Sequence, residues 1–178
     1  MKCKLWLALP LMTTLMLVVG CNYANYSVET KRNKAQFALF IEGFPQQGED
    51  TKLLKFYQAK PRLVHINPNP VLRGDSGMIT SSRVIDTQDG LHAIQLDFTT
   101  LGQSIMEHVT TNYRARRLYV VVAQSDDHSK TNRVKMRCIG AKYIQQTVSA
   151  PYMVFTPDAS REESENIVKL ANKTLKDH

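Results

Sequence analysis

Gly74-Asp75-Ser76-Gly77 sets a serine hydroxyl between two glycines with a carboxylate beside it, the local pattern of an acyl-transfer nucleophile. Such a serine works only with a histidine that takes its proton and a further carboxylate that orients the histidine. His65 is the sole histidine upstream, and the stretch before Ser76 is too short for the two-barrel scaffold in which that tetrapeptide does its chemistry. The four residues therefore read as a turn, and Arg73-Gly74-Asp75, which spells a cell-adhesion tripeptide, as part of the same turn. His92, His108, His128 and His178 show no HxxxH spacing and no CxxC accompanies them, so a metal centre is not expected. His92 alternates with apolar residues on a predicted strand and is expected to face solvent. No P-loop, GxGxxG or catalytic carboxylate pair is recognisable. The residues call for no cofactor, no metal and no enzyme activity.

A different chemistry is written at the N-terminus. Lys2 and Lys4 precede an apolar run from Leu5 to Val19, which closes on Gly20-Cys21. That is the layout of an export signal. The run is shorter than the roughly 20 residues that span a bilayer core, and it contains Pro10. Val18-Val19-Gly20-Cys21 resembles the bacterial lipobox, in which small residues fit the signal peptidase and the cysteine sulfur accepts diacylglycerol. Cys21 is accordingly the expected lipidation site, and two or three acyl chains, such as diacylglycerol plus palmitate, hold a protein durably on a membrane. Asn22, not aspartate, follows the cysteine, which favours the outer membrane. With Cys3 in the signal and Cys21 acylated, Cys138 has no partner for an internal disulfide. It lies in the alternating segment Val134-Lys135-Met136-Arg137-Cys138 and reads as a buried structural thiol.

Composition sets the frame. The 178 residues are 43% hydrophobic and 22% charged, with 8 Gly and 7 Pro, which excludes a disordered, collagenous or multi-spanning chain. The net charge is +7, and +5 once Lys2 and Lys4 leave with the signal. Arg114, Arg116 and Arg117 lie near Tyr113 and Tyr119, but outside the cytoplasm no nucleic-acid partner is expected. These arginines read as a solvated helix end complementing the dipole.

The organisation follows from turn signals and periodicity. Residues 1–20 are the signal, 21–35 a lipidated tether and 36–178 a single domain. Gln36 to Ile41 suggests a strand, Asp50 to Tyr57 a short helix, and Arg62 to Ile66 another strand. Pro68, Pro70, Gly74 and Gly77 mark a loop. Arg83-Val84-Ile85 and Leu91 to Phe98 form a hairpin across Asp89-Gly90. Thr99 caps a helix to about Tyr113, with Leu101, Ile105, Met106 and Val109 on its apolar face. Leu118 to Ala123, Val134 to Ile139, Tyr143 to Val148 and Tyr152 to Thr156 read as strands. Ser160 and Glu163 form a capping box for a last helix striped by Ile167, Leu170, Ala171 and Leu175. The fold class is α+β: an antiparallel or mixed sheet with two main helices packed on one face.

Within that frame, Ile94-Gln95-Leu96-Asp97-Phe98-Thr99-Thr100-Leu101-Gly102, Thr110 eight residues further on, and Ala115-Arg116-Arg117 leading into Leu118 to Val122 resemble the periplasmic P1 domain of the SecD protein-export subunit, without a gap. Val71-Leu72-Arg73-Gly74-Asp75 is similar to that domain's Leu-x-Gly-Asp segment, and Tyr152 to Thr156 with Glu162 to Leu175 to its closing strand and helix. The likeness covers residues 70 to 175. Thr99 stands where the family has aspartate, Tyr113 at its asparagine, and Ala115 at its glycine. Alanine adopts a positive φ at a cost, so a different turn is expected at Ala115. The family's proton-driven motor does not carry over, because no long apolar run follows Cys21. What the resemblance implies is a non-enzymatic, lipid-anchored, periplasm-facing domain that binds unfolded polypeptide or an envelope or export protein complex. The expected contact is a strand edge or groove beside the strand at 117 to 123. A small envelope hydrolase, or a structural lipoprotein of an outer-membrane assembly, are the alternatives.

Overall fold

The computed structural model of the chain describes residues 34–56, 60–125 and 134–176. The expected signal over 1–20, Cys21 and the tether up to residue 33 lie outside the described residues, as do His128 and His178. The strands are β1 (Ala35–Ile41), β2 (Lys52–Phe56), β3 (Arg62–Ile66), β4 (Leu72–Arg73), β5 (Ile79–Asp86), β6 (His92–Phe98), β7 (Arg117–Ser125), β8 (Val134–Tyr143) and β9 (Tyr152–Phe155). The helices are α1 (Thr100–Asn112) and α2 (Arg161–Lys176).

Two sheets form, one six-stranded in the order β3-β2-β8-β7-β1-β4 and one three-stranded in the order β5-β6-β9. Neighbours are antiparallel except β2 and β8, which run parallel where Phe56 meets Cys138. The class is thus α+β with a mixed sheet, as the patterning implies. Successive strand residues point to opposite faces. Ala35, Phe37, Leu39 and Ile41 of β1 therefore join Leu118, Val120 and Val122 of β7 on one side. The small sheet adds Ile94, Leu96, Phe98, Met153 and Phe155 to this main core, and both helices bury Met106, Val109, Ile167 and Ala171 in it. The other side of the large sheet buries Phe40, Tyr119, Val121 and Cys138 against Phe56 and Ile66. That second core exists because the sheet curls. At its far edge Ile66 bridges back to Glu42, with Asn67 N donating to Ile41 O at 2.8 Å and Gly43 N to His65 O at 2.9 Å.

Local signals act as expected in several places. The β5–β6 hairpin turns through Gln88-Asp89-Gly90, with Gly90 at φ 77°. Thr99 caps α1, its hydroxyl accepting from Gly102 N at 3.2 Å. Ser160 caps α2 by accepting from Glu163 N at 3.2 Å. The reciprocal half of that box is absent, because the Glu163 carboxylate pairs with Arg137 instead. The outer edge of β5 is covered by α2: the Asn172 side chain accepts from Ser82 N and donates to Ser82 O, both at 2.8 Å.

Four expectations are corrected. Asp50 to Tyr57 is not a helix; Lys52 to Phe56 is β2, held by a full antiparallel ladder with β3. Leu and Lys favour a helix, but five residues gain more from that ladder than from an isolated turn. Tyr143 to Val148 is not a separate strand, because β8 continues through Gly140 to Tyr143 with a bulge opposite Val120 and Val121. Gly140 permits this: a Cβ there would come within 2.8 Å of the Phe155 ring. The chain from Ile144 then bonds elsewhere, Ile144 N to Arg116 O at 2.9 Å and Val148 N to Thr110 Oγ1 at 2.8 Å. On α1 the buried residues are Gly102, Met106, Val109 and Thr110, whereas Leu101 is 59% exposed and Ile105 only half-buried. Within the predicted loop at 68 to 77, Leu72 and Arg73 add a short strand to β1 before a 3-10 turn at Gly74–Ser76.

Candidate functional site

The curl of the large sheet leaves a groove of about 440 Å³ between the β2–β3 hairpin and the segment from Glu42 to Gln46. Phe44, Pro45, Phe56, Val64, Tyr119 and Ala141 supply its apolar surface, and Arg62, Glu42 and Arg117 its charge. Its wall at 42 to 49 has little regular structure of its own and is fixed by two arginines at the start of β7. Arg116 grips the Glu49 carboxylate in a two-pronged ion pair at 2.9 and 2.7 Å and donates to Glu42 O at 3.2 Å. Its guanidinium also lies 4.8 Å from the centre of the Phe44 ring and 5.3 Å from that of Tyr113, within cation–π range. Glu49 in turn accepts from Phe44 N at 2.9 Å. Arg117 pairs with Glu42 at 3.1 Å, and Arg117 N donates to the same carboxylate at 3.0 Å. The Arg116 hydrogen bond holds the Glu49 carboxyl below its usual range, with the Phe44 amide adding to it. On the groove floor, burial pushes the Tyr119 hydroxyl up to about 12, and the Glu42 carboxylate 3.5 Å away reinforces the shift.

For Arg116 and Arg117 this overturns the reading as a solvated helix end, which holds for the exposed Arg114. The Arg116 side chain is 20% exposed and braces a groove wall. Among the described residues Arg114 donates to Thr147, at 3.3 Å. β7 offers no free edge beside residues 117 to 123, being paired along its length with β1 and β8, but its first residues line the groove. No motif in the sequence joins Glu42, Phe44, Glu49 and the β3 residues into a site, because a curling sheet brings them together.

Other singled-out residues have structural partners. Ser76 donates to Arg73 O at 2.6 Å and Arg73 pairs with Asp75 at 2.6 Å, so the tetrapeptide is a self-bonded turn closed by Gly77 at φ 68°. His65 lies 3.1 Å from Thr51 Oγ1. His92 does not face solvent freely; it is half-buried, with Nε2 3.1 Å from the hydroxyl of the fully buried Ser164. Cys138 is buried, and desolvation pushes its thiol up to about 12, which makes it inert at neutral pH. Among the described residues no group of three His, Cys, Asp or Glu side chains could hold a metal ion.

The motif residues from 99 to 115 prove to be packing devices. A Cβ on Gly102 would collide with the Met78 carbonyl, coming within 3.1 Å of its carbon and closer still to its oxygen. Thr110 is buried and ties α1 to Val148. Ala115 takes the left-handed backbone at φ 63°, so the glycine-like turn is kept despite the substitution.

No protein-family model matches the chain, and no curated protein matches it. Among solved structures it is similar to SecDF, described as a membrane component that enhances protein export, at 16% identity and a TM-score of 0.52 over 78% of this chain and 62% of that one. It is also similar to SecDF in its super-membrane-facing form, at 19% identity and a TM-score of 0.51 over 78% of this chain and 18% of that one. The chain thus spans less than two thirds of either neighbour, and what it shares with them is a SecD-like fold.

Proposed function

We propose that the chain is a non-enzymatic, lipid-anchored domain of the cell envelope that holds unfolded polypeptide, or a component of an export complex, in the groove beside β7. The observation that carries this reading is the groove itself. Its lining mixes apolar side chains (Phe44, Pro45, Phe56, Val64) with charged ones (Glu42, Arg62, Arg117), its wall is braced by Arg116 and Arg117, and β3 forms one side of it. An extended segment can lay side chains in such a groove while its backbone adds to a strand edge. The SecD-like fold supports the assignment, since the neighbours are components of protein export. Among the described residues no helix is long and apolar enough to cross a membrane. In this reading acylated Cys21 supplies the attachment, and Asn22 directs the domain to the periplasmic face of the outer membrane.

The test is site-specific photocrosslinking in intact cells, with the probe at Gln46 on the groove wall and a control at Gln88 in the distant β5–β6 turn. Adducts to envelope or exported proteins at Gln46 and none at Gln88 are expected. Equal labelling at the two positions would refute the groove as the contact surface.

A further inference from the structure

The β2–β3 hairpin is basic. Between Thr51 and Ile66 it carries Lys52, Lys55, Lys60 and Arg62 and no carboxylate. Among the described residues none of these four forms an ion pair, whereas Arg73, Arg83, Arg116, Arg117, Arg137 and Arg161 all do. The hairpin also exposes apolar surface that its own fold does not use: Leu53 is 52% and Leu63 68% exposed. Leu53 sits opposite His65 and Lys55 opposite Leu63, so by strand alternation the two leucines and Lys55 share the outer face as diagonal neighbours. Lys60 lies exposed toward the tip, whereas Arg62, opposite Phe56, falls on the groove side.

Unpaired cations around a pair of exposed leucines suit a surface that is anionic outside and apolar beneath. We propose that the outer face of the β2–β3 hairpin docks on the anionic headgroups of the membrane to which the chain is attached, Leu53 and Leu63 entering the headgroup layer. A membrane is favoured over an acidic peptide by proximity, which rests on the acylated Cys21 reading. Thirteen residues lie between Cys21 and Ala35, a reach of at most about 50 Å when extended. The headgroup plane is thus always within range of the domain. Docking sets the groove, whose edge is β3, beside the bilayer surface.

The test uses the full lipidated protein reconstituted in vesicles. An environment-sensitive probe is attached through Leu63→Cys, at an exposed position the core does not need, and a control probe through Glu165→Cys on α2. Vesicle attachment is followed separately by flotation. Brominated phosphatidylglycerol in the vesicles should quench the probe at 63 and not the one at 165, and brominated, wholly phosphatidylcholine vesicles should quench neither. Each cation near an anionic surface changes occupancy about fivefold, so Lys55→Gln with Lys60→Gln should weaken docking about 25-fold. Raised salt should weaken it too. Floating vesicles with an unquenched or equally quenched pair would overturn the docking proposal and leave the anchor intact. Failure to float with phosphatidylcholine vesicles would refute the anchor alone. A response at 63 to polyglutamate but not to anionic vesicles would assign the face to an acidic polypeptide and overturn the membrane contact.

Discussion

Replacing Gly102 with alanine tests whether the motif from Ile94 to Val122 is a set of packing requirements. On an exposed helix the change would stabilise the protein by about 1 kcal/mol, because glycine is the poorer helix former. At position 102 the new Cβ would overlap the Met78 carbonyl oxygen, stand 3.1 Å from its carbon and press on the Phe98 Cβ at 3.3 Å. That carbonyl cannot simply retreat. It accepts from Thr99 N at 3.0 Å and lies 3.4 Å from the Thr99 hydroxyl, so displacing it disturbs the cap of α1. Overpacking costs about 1–3 kcal/mol and a weakened hydrogen bond about 1 more. After the propensity gain, a net loss of about 2 kcal/mol remains. With an m-value near 2 kcal/mol/M for a domain of this size, the urea midpoint should fall by about 1 M. Ser104→Ala, on the exposed side of the same helix, should move it little. A Gly102→Ala protein as stable as the parent, or more so, would refute the reasoning, since the sign is set by the close approach alone.

Ala115→Gly should raise stability by about 0.5–1 kcal/mol in the same assay, because relief of the left-handed backbone at φ 63° exceeds the extra entropy lost by glycine; an unchanged or lower midpoint contradicts it. Met106→Ala should cost about 2–5 kcal/mol while Leu101→Ala costs little, since one side chain is fully buried and the other mostly exposed, and equal shifts would misplace the inner face of α1. Glu49 has a folded-state pKa below its unfolded value, so its contribution is present above the ordinary 4.5 and fades as pH falls through the lower folded value. An NMR titration should find its midpoint below 4.5 and moved upward by Arg116→Ala; no movement would remove the Arg116 clamp. Cys21→Ser should abolish acylation and release the domain from membranes, and a variant still attached after a salt wash would end the lipoprotein proposal.

The elements legible in the sequence are those whose cause is local. Asp89-Gly90 supplies a positive φ within the turn it makes, Thr99 and Ser160 cap helices within three residues, and Leu118 to Ala123 is apolar enough to be an interior strand in any arrangement. The pattern of Gly102, Thr110 and Ala115 was visible too, although its meaning lies in partners distant in sequence: Met78 for the glycine and Val148 for the threonine. Lys52 to Phe56 could not be assigned from its own residues, because two leucines, two lysines and a phenylalanine suit a helix turn or a strand equally and only the ladder with Arg62–Ile66 decides. Gly140, between the strands read at Val134 to Ile139 and Tyr143 to Val148, is the place where one continuous strand passes an aromatic ring. The groove was the least legible feature. Glu42, Glu49, Arg62, Arg116 and Tyr119 are scattered over 78 positions, and they meet only because the large sheet curls until Ile66 reaches Glu42. Curl is a property of how strands stack and twist against a core, and no single segment encodes it.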